Sequence, residues 1–68
     1  MKNVIFKFRG KNVFHLSLDD FNKKMPLGIN SGDSIIIDFI LYNVLYITNN
    51  LDTHNTIIEL GCGIKLDK

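Results

Sequence analysis

The residues whose types and spacing could support chemistry are four basic side chains near the start of the chain: Lys7, Arg9, Lys11 and His15. In two strands joined by a tight turn, they would share one face of a hairpin or its tip. Cationic side chains grouped in this way hold the phosphates of a nucleotide or of nucleic acid. An ordinary solvated face is the alternative, because the net charge is only +1.

A second candidate for ligand binding is the polar stretch 48–56, which contains Asn50 and His54. Its short polar side chains can hydrogen-bond a small ligand. The same residue types also build turns. Both interpretations stay open for this stretch.

The residue patterns of enzymes and metal sites are missing. Residues 28–32 carry two glycines but lack the lysine that contacts the phosphates in a phosphate-binding loop. Cys62, His15 and His54 have no spacing typical of a metal site or of a nucleophile and its base. The sequence therefore predicts no enzyme activity, no metal and no cofactor.

The strongest anomaly is the apolar content between Ile35 and Ile47, interrupted only by Asp38 and Asn43. An alternating strand pattern predicts that one set of side chains faces inward: Ile35, Ile37, Tyr42, Val44 and Tyr46. It predicts that the remaining apolar side chains point away from this core: Ile36, Phe39, Ile40, Leu41, Leu45 and Ile47. Contiguous exposed apolar surface usually marks an interface. We therefore predict an interface at Ile36, Phe39, Ile40 and Leu41, with a ligand pocket or a different register as alternatives.

The first elements predicted to position these residues are a hairpin and a helical turn. Strand 3–9 would direct Val4, Phe6 and Phe8 inward, and strand 12–18 would do the same with Phe14, Leu16 and Leu18. Ser17 followed by two aspartates predicts the start of a helix near 18–25, and Pro26 predicts its end.

Three further strands are predicted after this helical turn. β-branched and aromatic residues favour strands at 34–38 and 41–49, with a break between Asp38 and Leu41. The alternation in 55–60 predicts a fifth strand. Five short strands in so short a chain indicate a mainly β fold, either a small barrel or a strongly bent antiparallel sheet.

One part of the pattern resembles a known family. The residues are Gly32-Asp33-Ser34-Ile35-Ile36-Ile37-Asp38, then Tyr42, Val44, Leu51-Asp52 and Ile57. Over residues 26–60 the chain is similar to small SH3-like β-barrel proteins of bacteria and their phages. The resemblance implies a five-stranded SH3-like barrel and no particular activity. Phe39 departs from the pattern, which has glycine there, so a turn at this position would display an apolar side chain.

Length and composition indicate one domain over 1–68 that gains stability from association. A chain of 68 residues with one cysteine cannot form an internal disulfide, and small domains usually add a disulfide, a metal or a partner subunit. Residues 1–24 carry a net charge of +4 and residues 25–68 a net charge of −3. Packing between oppositely charged regions of two subunits would explain this division, and so would two different faces of one domain.

The sequence indicates no membrane segment and a cytoplasmic location, because the apolar run is too short to span a bilayer and the cysteine is free. We expect a non-enzymatic binding or inhibitory module that acts through protein–protein contacts as a homo-oligomer. A phage is one candidate source of such a module. One alternative is an anti-defence protein that sequesters a small anionic nucleotide-type signal. The other is single-stranded nucleic-acid binding, which the near-neutral charge does not favour.

Overall fold

The computed structural model describes residues 2–67 as five β-strands and one short helix. The elements, in chain order, are β1 (Asn3–Phe8), β2 (Lys11–Ser17), α1 (Leu18–Lys24), β3 (Ser34–Ile37), β4 (Ile40–Asn50) and β5 (Asn55–Lys65). The strands form one sheet, in the order β2-β1-β5-β4-β3, that curls into a half-barrel. The expected mainly β fold, with a bent five-stranded sheet and a helical turn near 18–25, is confirmed.

The sheet is mixed, which corrects the expectation of a purely antiparallel one. β1 pairs antiparallel with β2 and parallel with β5, while β4 is antiparallel to both of its neighbours. A parallel pair needs a long connection between its strands. Residues 9–54, which include the helix and three other strands, provide that connection.

The core lies on the concave face of the half-barrel. Its buried residues come from β1, β4, β5 and α1: Val4, Phe6, Phe21, Tyr42, Val44, Ile58 and Leu60. In β1 and β5 the buried positions follow the predicted two-residue alternation, because only one face of these strands lies on the core side of the sheet.

The helix α1 is held by its cap and by one buried ring. The Ser17 hydroxyl accepts a hydrogen bond from the Asp20 backbone N–H at 3.1 Å. At the other end, the Met25 N–H donates to the Phe21 carbonyl, and Pro26 follows. The Phe21 ring packs into the core. The predicted helix start and end are confirmed.

A bulge changes the predicted orientations in β4. The register shifts between Val44 and Tyr46, so that Leu45 is an extra residue on this strand. Tyr46, which was expected to face inward, is therefore 56% exposed. For the same reason Ile47, which was expected to face elsewhere, packs against the core. Ile40, also expected to face elsewhere, lies before the bulge and packs against the core because it alternates in step with Tyr42.

Two hairpins turn in the same way but with different residues. Arg9-Gly10 joins β1 to β2 with φ of 53° and 80°, and Asp38-Phe39 joins β3 to β4 with φ of 53° and 62°. Two consecutive positive φ angles define the turn whose twist suits a two-residue hairpin. The predicted break between Asp38 and Leu41 is confirmed. Phe39 holds a conformation that costs a non-glycine residue about 1–2 kcal/mol.

Candidate functional site

An apolar row, exposed at both ends and half-buried in the middle, crosses three strands on the convex face of the sheet. Ile36 of β3 pairs with Leu41 of β4, and Leu41 pairs with Ile64 of β5. Directly paired side chains lie on the same face of a sheet. Ile36 and Ile64 are 60% and 55% exposed, while the neighbours of Ile36 along β3 pack against the core. We call Ile36, Leu41 and Ile64 the convex row.

The structure brings three of the four predicted interface residues together. Ile36 and Leu41 are the first two members of the convex row, and Phe39 lies in the turn that joins their strands. The Phe39 carbonyl accepts a hydrogen bond from the Leu66 N–H at 2.7 Å, and its side chain is half exposed. Ile40 lies on the opposite face. That these residues form an interface stays a prediction.

Ile64 is the member of the row that was not among the predicted interface residues. The two glycines of residues 61–63 predict a bulge or bend with Ile64 ending the sheet, and the structure confirms a bulge: Leu41 pairs with Ile64 but Tyr42 pairs with Cys62, and β5 continues to Lys65. Gly63 has a φ of 80°, and a Cβ atom there would lie 2.6 Å from the Phe8 ring. Glycine therefore lets the strand pass close to this ring, and Ile64 then joins the sheet beside Leu41.

A second surface feature is a groove of about 310 Å³ on the concave side. Its apolar lining comes from β1, β2, α1 with its C-cap residue, and β3: Phe6, Phe14, Leu16, Phe21, Met25, Ile35, Ile36 and Ile37. Lys24 and Asp38 also line it. Phe14, predicted to face the core, is 41% exposed because the sheet does not close around it. We call this feature the concave groove.

The concave groove is bordered by the two outermost strands of the sheet. β2 pairs only with β1, and β3 pairs only with β4, among residues 2–67. An outermost strand presents backbone N–H and C=O groups that lack a strand partner. The groove therefore combines an apolar lining with two strands able to accept another strand.

The four basic residues predicted to bind a ligand do not share one face. Lys7 and Phe8 are consecutive in β1 and point to opposite faces, and Lys11 pairs with Phe8. His15 lies on the face of Lys7, and Arg9 is in the turn. The predicted basic face is therefore divided between the two sides of the hairpin.

Two of these cations already have neighbours inside the protein. Lys7 lies opposite Glu59 of β5. The Arg9 guanidinium carbon lies 5.1 Å from the centre of the Phe8 ring, within the range of a cation–π contact. Phe8 in turn packs edge-on against Tyr42, with ring centres 5.1 Å apart.

The other two predicted ligand residues lie at the opposite end of the sheet. Asn50 and His54 line a polar pocket of about 210 Å³ together with Lys2. The Asn50 side-chain oxygen accepts hydrogen bonds from the Asp52 and Thr53 N–H groups at 3.0 and 3.2 Å. Asn50 thus shapes the turn and also lines the pocket. Lys2 was missed because the sequence does not show which end of the sheet it occupies.

Cys62 and the imidazoles form no recognisable centre. Cys62 is exposed, with a φ of 72°. Within residues 2–67, no group of three histidine, cysteine or acidic side chains is placed to hold a metal ion. The helix in this part of the chain is neither long nor apolar enough to cross a membrane.

No family model, curated protein or solved structure matches the chain. The resemblance to SH3-like barrels therefore rests on the sequence pattern and stays a prediction. The surfaces described above carry the functional argument.

Proposed function

We propose that this protein is a non-enzymatic binding module that acts in the cytoplasm through protein–protein contacts and works as a homo-oligomer. The observation that carries the proposal is the convex row, in which apolar side chains of three adjacent strands lie in register, exposed at Ile36 and Ile64 and half-buried at Leu41 between them. Small proteins rarely leave a contiguous apolar surface uncovered unless it contacts another molecule.

The turn beside the row supports the same function. Glycine or asparagine would form the Asp38-Phe39 turn at lower conformational cost. The chain instead places a half-exposed aromatic ring in this turn. The turn is separated from the Ile36–Leu41 pair of the convex row by one residue pair only. Aromatic side chains are enriched at the centres of protein interfaces. Phe39 therefore fits a contact residue better than a turn former.

Size-exclusion chromatography of the full chain tests this proposal with the variant Ile36→Lys. The wild type is expected to elute as an oligomer at micromolar concentration, and Ile36→Lys as a smaller species, because a buried lysine would disrupt an apolar contact. Leu27→Lys is the matched control, since Leu27 is 97% exposed in the loop between α1 and β3. A monomeric wild type, or equal elution of all three proteins, would contradict the proposal.

The polar pocket favours a second candidate, the sequestering of a small anionic nucleotide-type signal by a phage-encoded anti-defence protein. Lys2 and His54 offer hydrogen-bond donors for a phosphate there. The Asn50 side-chain oxygen accepts the bonds of the turn, so its amide N–H groups can donate to a ligand. A thermal-shift screen against nucleotides and cyclic dinucleotides tests it. A true ligand stabilises the fold by about 2.7 kcal/mol at 100-fold excess over its Kd. Lys2→Ala should remove this shift while Lys65→Ala keeps it, and the absence of any shift counts against this candidate.

Single-stranded nucleic-acid binding receives no support from the hairpin. A base needs a free aromatic face beside the cations, whereas Phe8 packs against Tyr42 and Arg9. That function stays a sequence prediction.

A further inference from the structure

The two outer strands that border the concave groove differ in charge. β2 carries Lys11 and His15 and no carboxylate. Residues 33–38, which contain β3, carry Asp33 and Asp38 and no cation. The β2 edge of one copy therefore complements the β3 edge of another.

We propose that a second copy of this chain closes the concave groove by pairing the β3 edge of each copy with the β2 edge of the other. Two such pairs, related by a two-fold axis along the strands, would join both half-barrels into one closed ring of ten strands. The inference rests on the homo-oligomer in the proposed function and names the contact that forms it.

Strand direction allows this arrangement. β3 is antiparallel to β4, β4 is antiparallel to β5, and β5 is parallel to β1. β3 therefore runs opposite to β2, which is antiparallel to β1. A two-fold axis along the strands leaves every strand direction unchanged. The β3 and β2 edges of two copies thus meet as an antiparallel pair, the more stable of the two pairings.

Pairing between like edges is opposed by charge. If two β3 strands paired antiparallel along their full length, Asp33 of each copy would lie opposite Asp38 of the other. Like charges placed directly opposite each other are destabilising. The same acidic flanks discourage pairing with any acidic strand and favour a basic one.

Closure would also complete the burial of apolar side chains that the single copy leaves half-buried or, at Phe14, exposed. Ile35 and Ile37 of β3 pack on the core side, and Phe14 and Leu16 of β2 pair with the buried Phe6 and Val4. Paired edges would bring these side chains together across the new strand pair. On the convex side, Ile36 would gain a neighbour on the added strand, so a lysine at this edge would weaken the strand pair. Leu41 and Ile64 would stay on the outer face of the ring, available to the protein–protein contacts of the proposed function.

A charge-reversal experiment on the full chain tests the inference. Lys11→Glu and Asp38→Lys should each weaken dimer formation by about tenfold or more, because each places like charges at both strand pairs. An equimolar mixture should assemble as well as the wild type, since one pair then joins Glu to Lys and the other keeps the native charges. Lys65→Glu and Asp52→Lys repeat the charge changes at exposed positions outside both outer strands and should assemble normally.

Two additional measurements separate assembly from folding. Asp38→Asn removes the charge but tolerates the positive φ of 53°, and its circular dichroism should match the wild type while its dimer is weaker. Amide hydrogen exchange should show β2 and β3 becoming protected with rising protein concentration.

The inference is overturned if both reversed variants assemble as well as the wild type, or if their mixture fails to restore assembly. It is also overturned if the β2 and β3 amides gain no protection while dimers form. In each case a self-association that Ile36→Lys still disrupts would leave the proposed function standing. A wild type that stays monomeric would contradict both.

Discussion

The concave and convex faces of the sheet carry the same kinds of side chain, but these side chains have different roles. Ile58 on the concave face of β5 is fully buried, at 0% exposure, whereas Ile64 on the convex face of the same strand is 55% exposed. In β3, Ile35 packs against the core and Ile36 stands outside it. The comparison shows that high apolar content here divides into residues that stabilise the fold and residues available for contact.

The largest expected effect is on the concave face. Ile58→Ala should lower the free energy of unfolding by about 2–5 kcal/mol, because it removes buried methylene groups and leaves a cavity. Ile64→Ala should change it by less than about 0.5 kcal/mol, since an exposed side chain loses little on truncation. Urea denaturation of both variants, at a concentration where the chain is monomeric, measures the difference. Equal losses would show that the two faces are not distinct.

The close approach of β5 to the Phe8 ring gives an intermediate effect. Gly63→Ala places a Cβ atom 2.6 Å from that ring, and overpacking of this kind costs about 1–3 kcal/mol, added to the strain of a positive φ. Gly10→Ala is the matched control, because Gly10 has the same φ of 80° and no atom within 4 Å of the added Cβ. Thermal unfolding of the two variants isolates the contribution of the ring contact. A Gly10→Ala loss as large as that of Gly63→Ala would refute the close approach.

A small effect on stability is also expected at the turn beside the convex row. Phe39→Gly should change the free energy of unfolding by less than about 1 kcal/mol, because relief of the left-handed strain offsets the entropy of glycine and the lost ring contacts. The same variant should weaken self-association, which size-exclusion chromatography measures. A large stability loss with unchanged assembly would make Phe39 a core residue rather than a contact residue.

Local features of the fold were predictable from the sequence. The alternation in β1 and β5, the Ser17 cap of α1 and the break near Asp38 each depend on residues close together in the chain. The parallel pairing of β1 with β5 was not predictable, because it depends on a contact between segments about fifty residues apart. The bulge at Leu45 was also missed, and a single extra residue reverses which side chains of β4 face inward.

The candidate site was only partly predictable for the same reason. Ile36 and Leu41 were identified because they adjoin one turn. Ile64 joined them only through the pairing of β4 with β5. Arg9 and His54 were grouped by their chemistry, but the topology places them at opposite ends of the sheet.

Sedimentation equilibrium of the unmodified chain over a wide concentration range tests the central claim most directly, because it reports the molar mass of the assembly without a label or a matrix. The account predicts a concentration-dependent transition from one chain to two as the concave groove closes. A mass of a single chain at every concentration would contradict it.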